Sequence, residues 1–279
     1  MIASPQEIRP GSVAAHYDEL DGFYRDIWGE HVHHGLWLRG DETREQAVRQ
    51  LVELVAREAR ITAGARVCDI GCGYGATARM LTAEFGAEVK AITVSPAQHS
   101  FACRQDPGAN PEYLLGDWLD NEFPSASFDA AIAIESSEHM PDLAGFFAQA
   151  HRVLRPGGRL AVSAWLSADS PSPRARRWLL EPICRESRMP QMGTAADYER
   201  LARAAGFAFE RFEDLTPRVA RTWPMIVRRF LARLLPRPAL MRYLFHRHAG
   251  NRVFALTILR IMLAYRTGAM RYGVLTLRK

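Results

Sequence analysis

The chain has 279 residues, 48% of them apolar and 24% charged, which fits a globular protein of one large domain or two small ones with ample core. Its net charge of +5 hides a segregation: from Leu215 onward there are thirteen arginines, one lysine and no acid, so this tail carries +14 and the first 214 residues carry −9. An anionic surface or substrate is favoured near the tail and repelled elsewhere, unless the arginines only solubilise a helical cap and pair with the acidic body.

The N-terminus shows no signal peptide, and no apolar stretch is long enough to span a bilayer, Val253 to Tyr265 being interrupted by Arg260. A cytoplasmic chain is expected. Its four cysteines, Cys68, Cys72, Cys103 and Cys184, form no Cys-x-x-Cys pair and are expected to be reduced. His31, His33 and His34 stand close together without a nearby Cys or acid at metal spacing, so no metal is expected there.

Strand and helix patterns alternate as a doubly wound α/β sheet requires. The first strand is expected over Arg66 to Ile70. Gly71, Gly73 and Gly75 follow at alternate positions, then a helix-like run from Ala76 to Phe85. Glycines so placed let the backbone approach a ligand at a strand's carboxyl end, where the next helix offers free N–H groups. The G-x-G-x-G spacing, and a second strand (Glu88 to Thr93) that ends in Thr93 where a dinucleotide site shows an acid, favour S-adenosylmethionine over a dinucleotide.

Further strands are expected over Glu112 to Leu115, Phe128 to Ile134, Arg159 to Ala164 and Phe207 to Phe212, and a last one over Tyr272 to Leu277. Helices are expected over Asp142 to Leu154, stopped by Arg155-Pro156-Gly157-Gly158, and over Ala195 to Ala205. Between the last two strands lie about 60 basic, mostly helical residues, too many for a loop. Within them Met225 to Leu235 puts Val227, Phe230, Leu231 and Leu234 on one side and arginines mostly on the other, a basic amphipathic helix. Such a helix suits an anionic membrane surface, a lipophilic substrate, a diphosphate or an ordinary core. The division expected is an N-terminal helical segment over 1–60, a cofactor-binding α/β core over 61–214, a basic cap over 215–270 and a final core strand over 271–279.

These elements in this order resemble a class I S-adenosylmethionine-dependent methyltransferase, with a Rossmann-like seven-stranded sheet. Ile27 to Gly35, Ile92 to Gln98, Glu135 to Asp142, Met270 to Leu275 and Trp223-Pro224 narrow the resemblance to the γ-tocopherol methyltransferase-like group. That resemblance implies roles for particular residues. Asp69 would face the cofactor's ammonium group, Gly71 make the turn, Gly73 admit the methionine half, and Gly75 pack helix on strand. Thr93 and Gln98 would meet the ribose, Asp117 the adenine amino group, and Trp118 the ring face, while Cys72, Val94, Glu135 and His34 would also border the cofactor.

His139 has the right unperturbed pKa to act as base for a hydroxyl or phenol, and Glu138 could polarise it, hold substrate or stabilise a cation. The alternative is that both cap the following helix. The resemblance makes the 1–60 segment a lid over the cofactor, with Tyr17, Tyr24 and Trp28 closing the pocket, and Tyr24, Trp28 and His33, with Trp223 from the cap, are expected at the acceptor. The resulting expectation is methyl transfer to a lipophilic small molecule. A nucleic-acid methyltransferase fits poorly, because Glu135-Ser136-Ser137-Glu138 stands where an Asn-Pro-Pro-Tyr type of motif is needed. A non-catalytic cofactor-binding module docking through its basic tail remains a rival, and nothing in the sequence sets an oligomeric state.

Overall fold

The chain enters through a two-residue strand, β1 (Ile2–Ala3), and three helices, α1 (Ser12–Glu19), α2 (Asp21–Ile27) and α3 (Arg44–Glu58). The structure, a computed structural model, describes residues 1–6, 8, 11–19, 21–234 and 251–279. α3 begins with a capping box: Thr43 Oγ1 accepts from the Gln46 N–H at 3.2 Å and Gln46 Oε1 accepts from the Thr43 N–H at 2.8 Å. Its Leu51, Val52 and Val55 are fully buried and it packs against the sheet, so this part of the 1–60 segment belongs to the sheet layers rather than to a lid.

Next come β2 (Arg66–Ile70), α4 (Ala76–Phe85), β3 (Glu88–Thr93), α5 (Pro96–Gln105), β4 (Glu112–Leu115), β5 (Phe128–Ile134), α6 (Leu143–Val153) and β6 (Leu154–Ser167). β6 is longer than the sequence suggests at both ends. It bulges where Phe128 faces Leu154 but Ala130 faces Arg159, and its far end is held by β9 (Met270–Arg278), antiparallel from Arg159↔Arg278 to Ser167↔Met270. A partner strand nine residues long carries the pairing past the apolar run.

The seven-stranded sheet has the order β4-β3-β2-β5-β6-β9-β8, with β8 (Ala208–Asp214) on the edge beside β9. β2 to β6 are parallel, and residues 67–70 and 130–133 are all buried, as a sheet covered on both faces demands. Strand order reverses between β2 and β5. Their carboxyl ends therefore open the crevice in which an α/β sheet holds its ligand.

One segment that the sequence did not announce is helical. α7 (Pro173–Ala175), a π turn (Arg176–Leu180) and α8 (Glu181–Glu186) run on from β6, and β7 (Gln191–Met192) then pairs antiparallel with β1. Pro182 interrupts the periodic pattern there, and the π turn accommodates it. After α9 (Ala195–Ala204) and β8 come α10 (Thr216–Val219), α11 (Thr222–Leu234) and α12 (Asn251–Arg266). The π turn and α8 pack on α12, as does α11. The helical cover is thus assembled from two stretches of chain, not from 215–270 alone. Residues 235–250 of the expected cap lie outside the described residues.

Several of the tail's arginines do pair with the acidic body: Arg218 with Glu213, Arg229 with Glu45, Arg260 with Glu186, Arg271 with Asp169 and Arg278 with Glu210. No helix among the described residues is long and apolar enough to cross a membrane.

Candidate active site

β2 ends at Asp69-Ile70 and turns through Gly71, whose φ of +78° favours glycine. A Cβ on Gly71 would stand 2.4 Å from the Cβ of Ser136, which comes from the end of β5 and donates its hydroxyl to the Ile70 carbonyl. The turn is thereby locked to β5. Gly73 (φ +56°) is different, since a Cβ there would meet nothing within 4 Å among the described residues, and it lines a cavity of about 240 Å³. Gly75 is not in the wall of that cavity; its Cβ would strike the Tyr113 ring of β4 at 2.5 Å, so its close neighbour is that side chain rather than its own strand.

Asp69 is 2% exposed and its Oδ2 has no hydrogen-bond partner among the described residues. Burial pushes its carboxyl up from 3.8 to about 7. It borders a smaller recess with Cys72, His31 and His33, which shares Gly71, Gly73, Val32 and Ile134 as walls with the larger cavity. A buried carboxylate without a partner is costly, and an ammonium group would satisfy it. His33 therefore stands at the Asp69 end, not at the acceptor position expected of it.

The larger cavity continues past Thr93, Val94, Gln98, Asp117 and Trp118. Thr93 Oγ1 donates to Gln98 Oε1 at 3.0 Å. Asp117 Oδ1 accepts from the Leu119 N–H at 2.9 Å, and Trp118 Nε1 donates to the Phe146 carbonyl at 3.3 Å, so Trp118 is both core anchor and cavity wall. α1 covers the mouth with Val13, Ala14 and Tyr17. It is fastened to the start of α5, where Asp18 accepts from Ser95 Oγ at 2.5 Å and from the Ala97 N–H at 3.1 Å.

Glu135 sits at the end of β5 with φ +51°, a conformation that non-glycine residues seldom adopt. The turn aims its carboxylate at four donors: the His34 N–H (2.7 Å), His34 Nδ1 (3.0 Å), Trp165 Nε1 (2.7 Å) and the Tyr272 hydroxyl (2.8 Å). Burial opposes ionisation, but the attraction and hydrogen bonds of His34 outweigh it and hold the carboxyl at about 2. His34 is fully buried, and its Nε2 accepts from Trp223 Nε1 (2.9 Å) and lies 3.2 Å from the Tyr265 hydroxyl. It borders none of these cavities, although the resemblance implies a place beside the cofactor. It ties the N-terminal segment to the sheet and to the helical cover. The other two histidines pair with each other, His31 Nδ1 to His33 Nε2 at 3.0 Å, and burial, with His33 beside it, lowers His31 to about 2.

A second chamber of about 80 Å³ lies behind the first and shares Tyr17, Val32, Glu135 and His139 with it. Its walls are mostly aromatic and apolar: Tyr24, Trp28, Trp165, Met189, Trp223, Ile258 and Ile261. Ile258 and Ile261 belong to α12 and Met189 follows α8, positions that nothing in the sequence singles out. Trp28 is 4% exposed and its indole N–H has no acceptor among the described residues. Glu186 also borders the chamber but is engaged by Arg260 and by Thr257 (2.6 Å).

His139 closes the junction from a short 3₁₀ turn, Ser137–His139. Its Nδ1 faces the Arg188 carbonyl at 3.4 Å, which fixes the proton there and leaves Nε2 to accept from the Tyr17 hydroxyl at 3.1 Å. Burial lowers its pKa. Glu138 accepts from the Trp165 N–H at 2.6 Å and from Ser137 Oγ at 3.0 Å, and burial raises its carboxyl to about 8. Neither side chain caps α6, whose N-terminus is capped by Asp142 accepting from the Gly145 N–H at 2.9 Å.

A doubly wound sheet with a glycine turn after its first parallel strand, an unpaired buried acid beneath that turn and an apolar chamber beyond it defines a class I S-adenosylmethionine-dependent methyltransferase. A family model described as "Methyltransferase domain" matches residues 41–211. The tocopherol O-methyltransferase of Arabidopsis thaliana chloroplasts is 30% identical over 99% of this chain and 84% of that protein. The 27-O-demethylrifamycin SV methyltransferase of Amycolatopsis mediterranei is 34% identical over 79% and 82%. A crystal structure of a [4+2]-cyclase superposes with a TM-score of 0.79 at 25% identity, covering 100% of this chain and 98% of that one. The chain belongs to the class I S-adenosylmethionine-dependent methyltransferases, in the tocopherol methyltransferase-like group, and S-adenosylmethionine is its cofactor.

Proposed function

We propose that the protein methylates a hydroxyl or phenol oxygen of a lipophilic small molecule, one that reaches the enzyme from a membrane phase. The observation that carries this reading is the position of His139 in the wall shared by the cofactor cavity and the aromatic chamber. S-adenosylmethionine supplies an electrophilic methyl group on a sulfonium. The chain's own residues would hold it: Asp69 for the ammonium group, Gly71, Gly73 and Cys72 along the methionine half, Thr93 and Gln98 for the ribose, and Val94, Asp117 and Trp118 for the adenine. Glu135 would act through its neighbours, keeping the N-terminal segment, the sheet and the helical cover in register.

In the chamber Tyr24, Trp28, Trp165 and Trp223 exclude water and pack against an apolar acceptor, so orientation supplies much of the rate. The unpartnered Trp28 N–H suits an acceptor oxygen. His139 Nε2 takes the acceptor's proton as the oxygen bonds to the methyl carbon, directly or through Tyr17. The products are the methyl ether, S-adenosylhomocysteine and a proton left on the imidazole. Glu138, mostly protonated near neutral pH, adds little negative charge there.

The names of the tocopherol and rifamycin relatives support oxygen as the target and a lipophilic acceptor. The test is steady-state turnover on a panel of prenylated phenols and hydroxylated natural products, with His139→Ala alongside. The variant should lose about a hundredfold or more in turnover while binding S-adenosylhomocysteine as the parent does. Equal loss of cofactor affinity and turnover would make His139 structural, and unchanged turnover would remove the base from the mechanism.

A further inference from the structure

α12 is apolar on two opposite sides. Its inward stripe, Ile258, Ile261, Ala264 and Tyr265, is buried, with Ile258 and Ile261 in the wall of the acceptor chamber. Its outward stripe, Leu256, Leu259 and Leu263, follows at helical spacing and is 52%, 61% and 48% exposed. A helix apolar on two opposite sides calls for cover on both. Two elements packed against α12 also expose large apolar side chains: Leu231 on α11 is 51% exposed, and Trp178 in the π turn is 65% exposed under the guanidinium of Arg177 at 5.4 Å.

Basic groups border this apolar surface. Arg266 follows Leu263 by three residues on α12, Arg228 precedes Leu231 by three on α11, and Arg177 adjoins Trp178; all three are exposed. No acid occurs anywhere after Asp214. Apolar side chains ringed by arginine match the interface of an anionic bilayer, where leucine and tryptophan enter the headgroup region and each basic group near the surface adds attraction. A second copy of this chain would bring arginine against arginine.

We propose that the outward face of α12, with Leu231 and Trp178, docks on an anionic lipid bilayer and that the acceptor passes from the bilayer to the chamber beside this helix. The entry step rests on the lipophilic-acceptor reading; the docking does not. The full chain is tested by co-sedimentation with vesicles of phosphatidylcholine alone or mixed with phosphatidylglycerol, at low and high salt. Binding to the anionic vesicles that weakens with salt is expected, and L256Q/L259Q/L263Q should weaken it by about tenfold or more. Arg228→Gln with Arg266→Gln should reduce the preference for phosphatidylglycerol and the salt dependence. Should the triple variant fail to fold, Leu259→Gln alone, at the most exposed of the three, tests the same face.

Each variant should keep the parent's thermal stabilisation by S-adenosylhomocysteine, a readout that reports the cofactor site independently of lipid. Absence of wild-type binding to either vesicle, or unchanged binding by the leucine variants, overturns the proposal. So does conversion of a wild-type dimer to a monomer by the leucine changes with vesicle binding intact, which would assign the face to a second copy. Vesicle binding that responds as expected, combined with no product from any lipophilic acceptor, leaves the docking standing and removes the entry step.

Discussion

Replacing Asp69 with Asn should make the ligand-free protein more stable and the cofactor site nearly useless. The carboxyl is buried, its Oδ2 is unpartnered, and its pKa rises from 3.8 to about 7. Between those values the folded chain holds a proton that the unfolded chain has released, so stability falls as pH rises through the window and levels off above about 7. The full difference is about 4 kcal/mol, so in a chain this long Asp69→Asn should raise the melting temperature at pH 8 by up to about 8 °C. Below pH 4 the two proteins should melt alike. An ammonium group beside Asp69 favours the carboxylate, so wild-type affinity for S-adenosylhomocysteine should climb from pH 5 to pH 7 as the acid deprotonates. Removing one member of a buried charge pair costs about 2–5 kcal/mol, a loss of thirtyfold or more. The assay is scanning fluorimetry across pH 4–8 with and without S-adenosylhomocysteine, backed by calorimetric titration. A variant less stable than the parent at pH 8, yet still stabilised by S-adenosylhomocysteine, would refute the pairing.

Glu135→Gln should destabilise by about 2–4 kcal/mol at pH 7, because an amide group faces donors that a carboxylate accepted. The wild-type carboxyl, lowered to about 2, contributes stability present above pH 4.5 and lost as pH falls toward 2, and denaturant titrations of the variant should lack that acid loss. Glu138→Gln should keep most turnover at pH 7, since its carboxyl sits at about 8. Any wild-type rate change near pH 8 should vanish in it, and persistence of that change would assign it elsewhere. Trp28→Phe retains the ring and removes the unpartnered N–H, so kcat/KM should fall about tenfold with cofactor affinity unchanged; an unaltered kcat/KM would show that no acceptor oxygen uses it. The lowered pKa of His139 keeps its imidazole neutral below 6.5, so the acid limb of a pH–rate profile should lie below that value and be absent in His139→Ala.

What the sequence determined by itself is local. The first four strands of the parallel sheet and α4 have the bounds that apolar runs and glycines imply, because a strand buried on both faces and a glycine turn each leave their mark within a few residues. The acid in β2 was legible for the same reason: a charge in an apolar strand is conspicuous. Tertiary structure decided the rest. β6 outruns its apolar pattern because β9, more than a hundred residues away in the chain, supplies the pairing. The helices over 173–186 were hidden by Pro182 and gain their burial from α12, a contact no window of sequence contains. His33 and His34 look alike beside each other, yet one borders the Asp69 recess and the other joins Glu135, Trp223 and Tyr265, because successive side chains on an extended segment point opposite ways. Charge shows the same division. Composition fixed the excess of arginine after Leu215, but only packing determined that Arg229, Arg260 and Arg278 would face acids while Arg228 and Arg266 face solvent.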